Sequence, residues 1–215
     1  MSELVITGGH GGLGQAVAAA FAGPHWQIAA PGRAELDVTS PAAIRDFFAA
    51  RSVELLVCAA GISGEAPLAR LDGERWDHVL AVNYAGAAAC AAAVLPGMVE
   101  RGRGHVVFIS SLVAVHPPPG LAAYATAKAA LLGLTRELAA RHGRQGVRVN
   151  AVLPGFLETP MTRPVTPKRR AEVLAEHVLG AFNTPAAVAE FIRFLHHHLP
   201  QTSGQTFQLD SRVGA

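Results

Sequence analysis

The sequence is poor in cysteine. Its 215 residues include two, Cys58 in an apolar stretch and Cys90 in an alanine-rich one. Neither position fits the spacing of a metal-binding motif, so no metal site is expected. We interpret both thiols as small core residues of a reduced protein.

A marked excess of one charge is also absent. Lys and Arg number 18, Asp and Glu 16, and the net charge is +2 with His neutral. Basic residues are scattered apart from residues 168–170, which are predicted to lie on a solvated helix face. The sequence therefore lacks the basic footprint of a nucleic-acid-binding protein, and no nucleic-acid partner is expected.

Large apolar side chains are scarce in an uncharged stretch at residues 81–99. The stretch is long enough to cross a membrane, but it is mostly alanine and contains Asn83, Tyr84 and Pro96. We expect no membrane span and predict a helix packed closely on a sheet or on a partner subunit. The N-terminal residues lack the basic and apolar segments of an export signal, which favours a cytoplasmic protein.

The order of apolar segments predicts an α/β fold. With 50% hydrophobic residues, the chain is expected to form one domain over residues 1–215. Short apolar strands alternate with helical patterns, which indicates a parallel sheet with helices on both faces. The predicted strands lie near residues 3–7, 26–31, 53–59, 104–110, 147–152 and 205–209, and the helices near 12–22, 40–50, 70–100, 122–143 and 184–197, with a looser lid segment at about 156–180.

A glycine-rich turn, TGGHGGLG at residues 7–14, joins the first predicted strand to the first helix. Glycines let a backbone turn tightly and approach a ligand, and a helix N-terminus offers unpaired N–H groups and a positive dipole end. The turn is therefore a predicted phosphate-binding site. A glycine-rich turn without a ligand is the alternative interpretation.

The stretch from Ser110 to Lys128 contains the candidate catalytic residues. Tyr124 and Lys128 are spaced i, i+4 and share a helix face. A nearby ammonium favours a phenolate and lowers its pKa from about 10, as acid/base catalysis near neutrality requires. Ser111 follows a predicted strand and would donate to a substrate oxygen beside the phenol. Alone, the tyrosine–lysine pair is weak evidence, because such pairs are common on exposed helix faces.

These segments together resemble the short-chain dehydrogenase/reductase family, specifically its single-domain, ketoacyl-reductase-like members. Residues 7–14 match the family pattern TGxxxGxG, and Ser111, Tyr124 and Lys128 have the family's spacing. Asn83 stands 22 residues after Gly61, where the family has its catalytic asparagine. NAVLPGFLETPM at residues 150–161 and SGQTFQLD at 203–210 match the family's later segments. The resemblance implies a doubly wound Rossmann fold with about six to seven parallel strands.

The resemblance also implies a role for each candidate catalytic residue. Tyr124 would exchange a proton with the reacting oxygen, Lys128 would lower the tyrosine pKa and bind the nicotinamide ribose, and Ser111 would orient the oxygen. Asn83 would bend its helix and hold a water that relays protons. The implied activity is NADP-dependent interconversion of a secondary alcohol and a carbonyl. A nicotinamide-binding regulator or scaffold without turnover is the alternative.

Cofactor contacts follow from the same resemblance. Gly32 stands at the family's acidic position after the second strand and Arg33 follows it, which favours NADP over NAD unless Arg33 is a surface residue. Asp37 would lie beside the adenine, or be an N-terminal helix acid. Thr159 would bind the nicotinamide carboxamide, or cap the following segment. The other implied cofactor contacts are Gly8, Gly12, Leu13, Gly14, Val38, Ala60, Gly61, Pro154 and Gly155, besides Tyr124 and Lys128.

Two segments depart from the family pattern. After Arg33 the chain is too short for the usual crossover, so the family's third strand is predicted to be absent or vestigial and the sheet to have about six strands. Residues 58–61 read CAAG where the family usually has NNAG. The change removes polar side chains near the central sheet. We expect it to weaken the local structure more than it affects the catalytic reaction.

The predicted substrate pocket contains Val113, His116, Phe156 and Met161, which favours a medium-sized, largely apolar ketone or alcohol. Arg163 is either a contact for an anionic group or a solvated lid residue. Residues 196–198 are consecutive histidines and are predicted to form a solvated helix end. Pairing through the two long helices, as in the family, would give a homodimer or homotetramer.

Overall fold

The computed structural model describes residues 1–63 and 72–213. It contains one six-stranded sheet in which every neighbouring pair of strands is parallel. The predicted α/β class and strand positions are confirmed. The strands are β1 (Ser2–Thr7), β2 (Trp26–Ala29), β3 (Val53–Cys58), β4 (Gly104–Ile109), β5 (Val147–Leu153) and β6 (Thr206–Gln208), arranged in the order β2-β1-β3-β4-β5-β6.

Helices connect the strands and cover both faces of the sheet. Residues 70 and 71, at the start of the predicted third helix, lie outside the described residues. Short 3-10 turns occur at Leu112–Ala114, Gly143–Gln145 and Pro160–Thr162. The helices are α1 (Gly12–Ala20), α2 (Pro41–Phe48), α3 (Gly73–Leu80), α4 (Gly86–Glu100), α5 (Ala122–His142), α6 (Pro167–Ala175) and α7 (Pro185–His198), with a π-helical turn at Ala81–Ala85 between α3 and α4.

The core has two layers, one on each face of the sheet. Neighbouring residues of β1 illustrate the division, because Val5 belongs to the layer beneath α2, α4 and α5 while Leu4 and Ile6 belong to the layer beneath α1 and α7. Successive side chains of a strand point to opposite faces, so a strand covered on both faces must be apolar throughout. This requirement explains the uninterrupted apolar runs in β1, β3 and β4.

The strand order reverses at β1, which lies between β2 and β3. In sheets of this kind, ligands bind at the carboxyl ends of the strands beside such a reversal. Among the described residues, no strand lies beyond β2. After Gly32 the chain turns, with Leu36 N donating to Gly32 O at 3.0 Å, and enters α2 behind the N-cap Ser40. The predicted loss of the family's third strand is therefore confirmed.

The continuous helical segment Gly73–Glu100 is long and apolar enough to cross a membrane by length and composition, because an 18-residue stretch within it has a mean hydropathy of 1.7. Its second half, α4, packs on β3 and β4 and buries Cys90, Ala91 and Met98. Gly86 lies directly against Val38, and a Cβ there would come within 2.7 Å of the Val38 carbonyl oxygen. The alanine-rich sequence thus serves close packing on the sheet.

A buried polar network lies at the opposite end of the sheet from the glycine-rich turn. Asn150 Oδ1 accepts from Gln205 N at 3.1 Å, which fixes the orientation of the amide, and Asn150 Nδ2 donates to Thr202 O at 3.0 Å and to His105 Nε2 at 3.1 Å. His105 must therefore carry its proton on Nδ1. That N–H donates to His196 Nδ1 over an Nδ1–Nδ1 distance of 3.3 Å.

Burial keeps both imidazoles of this network neutral. It lowers the pKa of His105 well below its ordinary value and lowers the pKa of His196 to about 3, and the nearby guanidinium of Arg148 adds to both effects. The His196 ring also lies 5.2 Å from the Trp26 ring. The prediction of a solvated helix end is therefore wrong for His196, whose ring packs beneath the helix, whereas His197 and His198 are exposed.

We expect the free energy of unfolding to decrease as the pH falls from about 6.5 towards 5. The unfolded chain takes up protons on His105 and His196 that the folded chain excludes, which costs about 1.4 kcal/mol per pH unit for each histidine. His196→Gln keeps a hydrogen-bond acceptor for His105. It should reduce the dependence of the unfolding free energy on pH by the contribution of one histidine. Urea denaturation at several pH values measures it. The exposed His25→Gln should leave the slope unchanged, and equal slopes for the parent and His196→Gln would contradict the assignment.

Candidate active site

A cavity of about 750 Å³ opens at the carboxyl ends of β1, β4 and β5. Its walls come from the glycine-rich turn, the segment after β4, the first turns of α5, the segment after β5 and the lid. The cavity thus collects residues that are far apart in the sequence. The candidate site residues in its walls are Gly8, Gly12, Leu13, Gly14, Gly61, Ser111, Val113, His116, Tyr124, Lys128, Pro154, Gly155, Phe156, Thr159 and Met161.

The glycine-rich turn leaves no room for side chains. A Cβ at Gly8, whose φ is +68°, would lie 2.7 Å from Ala60 Cα, and one at Gly14 would lie 2.5 Å from Gly8 O. A Cβ at Gly12 would lie 2.9 Å from Thr159 Cγ2. The helix α1 begins at Gly12 with Gly11 as its N-cap, no side-chain cap and no acidic residue in its first turn. Its first N–H groups and dipole therefore suit an anion.

Asn83 joins the helix α3–α4 to the segment that follows β3. It is fully buried in the π-helical turn, Oδ1 accepts from Ile62 N at 3.3 Å, and Nδ2 donates to Ile62 O and Val79 O, both at 2.9 Å. A Cβ at Gly61 would come within 2.7 Å of Asn83 Oδ1 and 3.6 Å of Lys128 Nζ. Glycine at this position lets the asparagine and the lysine approach the same stretch of backbone.

The CAAG segment keeps one polar connection to the sheet through its backbone. Ala60 N donates to the Thr7 hydroxyl at 3.2 Å. Cys58 is buried and its thiol lies 3.7 Å from Ala87 O on α4. Backbone and thiol contacts thus hold this segment where the family usually has asparagine side chains.

Lys128 is buried, with 4% of its surface exposed, and Nζ donates to Ile109 O at 2.9 Å. Burial lowers its pKa to about 8, while Cys58 acts in the opposite direction. Nζ lies 5.6 Å from the centre of the Tyr124 ring. The lysine is therefore bound to the end of β4 and lies against one face of the phenol ring.

Burial raises the pKa of Tyr124, and a hydrogen bond with the Ser111 side chain partly offsets this effect. The direction is opposite to the lowered pKa expected from the neighbouring lysine. The expectation is wrong for this structure because Lys128 Nζ is committed to the Ile109 carbonyl and the phenol loses solvation. Ser111 Oγ also accepts from Val113 N at 3.3 Å, which fixes the serine at the start of the segment after β4.

The candidate adenosine contacts lie outside this cavity. The Arg33 side chain is 77% exposed, and its Nε is 3.7 Å from Asp37 Oδ2. Hydrogen bonds from the side chain and backbone of Thr39 lower the pKa of Asp37. Val38 is buried against α4. Ala60, another expected contact, lies against the glycine-rich turn behind the cavity wall.

Thr159 connects the lid to the opposite wall of the cavity. It precedes the 3-10 turn Pro160–Thr162, where Thr162 Oγ1 donates to Leu157 O at 2.7 Å and accepts from Thr159 N at 3.0 Å. The Thr159 methyl lies against Gly12, as the space around that glycine shows. The residue is therefore both an N-cap in the lid and part of the wall facing α1.

Sequence reasoning missed the polar side of the cavity. Arg169 and Glu176 of the lid and Arg212 near the C-terminus line it, together with Val173. Arg169, Val173 and the C-cap residue Glu176 have the spacing i, i+4, i+7. This spacing is the signal that could have identified a shared face of α6. Arg163, the expected candidate for an anionic group, is exposed to solvent.

Comparisons with known proteins agree with the geometry of this site. A family model described as enoyl-(acyl carrier protein) reductase matches residues 14–211. The structure of a protein from Beutenbergia cavernae, described as an NAD(P)-dependent gluconate 5-dehydrogenase with bound NADP, aligns with a TM-score of 0.89 and 28% identity over 98% of this chain and 95% of that one.

Two curated relatives show similar sequences. The 3-oxoacyl-[acyl-carrier-protein] reductase FabG of Thermotoga maritima is 40% identical over 143 residues, which is 66% of this chain and 58% of that reductase. A Xanthobacter autotrophicus protein named inactive 2-(S)-hydroxypropyl-CoM dehydrogenase 2 is 36% identical over 196 residues, 86% of this chain and 83% of the relative. With a family match over most of its length, the chain belongs to the short-chain dehydrogenase/reductase family as a ketoacyl-reductase-like member.

Proposed function

We propose that this protein is an NADP-dependent oxidoreductase that interconverts a carbonyl and a secondary alcohol, acting as a ketoreductase. The observation that carries the proposal is the meeting of Ser111, Tyr124 and Lys128 with the uncapped start of α1 in one cavity. A phenol able to give a proton, a hydroxyl able to donate a hydrogen bond to an oxygen and a turn suited to a dinucleotide thus line the same space.

The residues present fit a nicotinamide dinucleotide. The space that side chains would fill at Gly8, Gly12 and Gly14 is kept clear, and the N-terminus of α1 faces it, as binding of a pyrophosphate requires. Pro154, Gly155 and Thr159 would hold the nicotinamide end. When bound, the cofactor supplies the hydride, and the protein supplies position and charge.

NADP is proposed over NAD because Gly32 and Arg33 replace the acidic residue that binds a ribose hydroxyl. A carboxylate here would repel a 2′-phosphate, whereas the exposed guanidinium of Arg33 is free to move towards one from its long contact with Asp37. The Beutenbergia structure, which contains NADP, supports the proposal by similarity.

Each catalytic side chain has a distinct proposed task. Tyr124 gives a proton to the carbonyl oxygen during reduction. Ser111 donates a hydrogen bond to the same oxygen. Lys128 adds positive charge beside the ring and binds the nicotinamide ribose. Asn83 holds the backbone of Ile62 and supports a proton-relaying water.

The substrate proposed is a medium-sized, largely apolar ketone or alcohol. Val113, Phe156 and Met161 form an apolar part of the cavity, and His116 lies in the same wall. The polar residues of the lid leave room for a polar group at the far end. We also propose a homodimer or homotetramer formed through α4 and α5, because their alanine-rich surfaces allow close approach of a second copy.

A nicotinamide-binding regulator without turnover is the second candidate, since a relative over most of this chain is named as inactive. The two candidates differ in the need for a proton donor. A pure sensor has no use for a phenol that faces the cavity and is hydrogen-bonded to a serine.

We expect Tyr124→Phe to lower kcat for ketone reduction by roughly 10²- to 10⁴-fold, because the proton donor is lost. NADPH binding, followed by its fluorescence, should change little. NADPH consumption over a panel of ketones measures the effect. Tyr84→Phe, at the other tyrosine of the chain, is the matched control and should retain activity. Identical consumption by the parent and Tyr124→Phe would favour the regulator.

We expect Arg33→Ala to reduce kcat/KM for NADPH by roughly 10- to 100-fold, as the loss of a charged hydrogen bond to phosphate predicts, with little change for NADH. Arg45→Ala, which removes another exposed arginine paired with a neighbouring aspartate, should alter neither value. Kinetics with both cofactors provide the measurement. An equal decrease for NADPH and NADH would remove Arg33 from the 2′-phosphate site.

A further inference from the structure

We propose that Ser110 is a positioning residue that holds the backbone of α5 against the end of β4 and thereby places Lys128. This inference rests on the proposed function insofar as Lys128 serves catalysis. The serine is 2% exposed and precedes Ser111, the residue proposed to contact the substrate oxygen. Of the two adjacent serines, Ser110 would therefore bind the helix backbone and Ser111 the substrate oxygen.

Two hydrogen bonds run in opposite directions between the same two segments. Ser110 Oγ donates to the Lys128 backbone carbonyl at 2.8 Å, and Lys128 Nζ donates to the Ile109 carbonyl at 2.9 Å. Both bonds are buried. Neighbouring residues of one strand end thus hold the main chain and the ammonium of a single lysine, which fixes the two ends of its flexible side chain.

The strand side of this contact is well anchored. β4 is an interior strand between β3 and β5, and Ser110 N extends the sheet by donating to Val152 O at 2.8 Å. Movement of Ser110 would therefore disturb the central pairing of the sheet. The hydrogen bond from the Ser110 hydroxyl therefore holds α5 in a fixed position relative to β4.

The helix side needs such a contact because its packing residues are small. The buried residues of α5 before Lys128 are Ala123, Ala125 and Ala127. Alanine side chains interlock little, so their packing tolerates small shifts of a helix along its neighbour. A directional hydrogen bond to one carbonyl restricts those shifts. The Lys128 carbonyl can accept it in addition to its helical bond, since a carbonyl oxygen has two lone pairs.

The sequence offers a direct measurement of the lysine position. Lys128 and Lys168 are the only two lysines in the chain, so a protein labelled with ¹³C-lysine gives two side-chain signals, and Lys168→Arg assigns them. Burial lowers the pKa of Lys128 to about 8. A change in the placement of Nζ changes its solvation and therefore the midpoint of its titration. This readout needs neither cofactor nor turnover.

The test compares the full-length parent with Ser110→Ala. We expect the Lys128 titration in the variant to move upward towards the ordinary lysine value, because Nζ is less confined to its buried position. We expect kcat for ketone reduction to decrease by about 10-fold, given that a displacement of about 1 Å can cost 10²-fold, while the KM for the ketone stays constant. Ser110→Cys, with a side chain of similar size and a weak donor, should be intermediate in both measurements.

Thr135→Val is the matched control. Thr135 Oγ1 donates to Leu131 O at 2.7 Å, so this variant also removes a buried hydroxyl bonded to a carbonyl of α5, two turns beyond Lys128. It should lower thermal stability without changing the lysine titration or kcat. If it shifts both as strongly as Ser110→Ala does, the effect is a general loosening of the helix and the positioning role is overturned.

The remaining outcomes separate this inference from the proposed function. If the parent shows no turnover, the proposed activity fails, and an upward shift in Ser110→Ala still supports the placement of Lys128 by Ser110. An unchanged titration in Ser110→Ala overturns the placement whether or not the parent is active. An unchanged titration combined with a higher KM for the ketone would instead make Ser110 a substrate contact.

Discussion

The buried ammonium of Lys128 is the constraint on which the arrangement of the site depends. Placing a charge in the interior costs several kcal/mol unless polar groups surround it. The Ile109 carbonyl meets that need at the end of β4, and Asn83 Oδ1 and Lys128 Nζ share the space beside Gly61. A strand end, a π-helical turn and α5 must therefore meet at one point. The central sheet and the candidate active site are consequences of the same packing.

The two parts of the proposed cofactor site differ in how firmly they are held. Beside the candidate nicotinamide contacts, Gly155 lies against Asp210, whose buried carboxylate accepts from Arg212 at 2.6 Å and from Gln208 at 2.8 Å. Beside the candidate adenosine contacts, β2 is the edge strand and Arg33 projects into solvent. Loss of the family's third strand thus leaves the candidate catalytic residues within the cavity, while Arg33, the candidate contact for a 2′-phosphate, is exposed at the edge of the sheet.

The sequence was sufficient for features that depend on local rules. Strands covered on both faces are apolar throughout, and a glycine-rich turn before a helix has few alternatives. The short segment after Arg33 also predicted the missing strand, because a crossover has a minimum length. These inferences need no knowledge of distant contacts. The coarse fold and the clustering of Ser111, Tyr124 and Lys128 were accessible for that reason.

Features that depend on contacts between distant segments were not accessible in the same way. Arg212 reaches the cavity because the C-terminal chain returns to the lid, where Val178 N donates to Ser211 O. His196 turns towards the sheet because its Nδ1 meets His105 Nδ1, which is oriented by Asn150. The pKa of Tyr124 is raised rather than lowered for a related reason. The i, i+4 spacing places a lysine on the same helix face, but the carbonyl at the end of β4 decides where its ammonium binds, and desolvation then dominates the phenol.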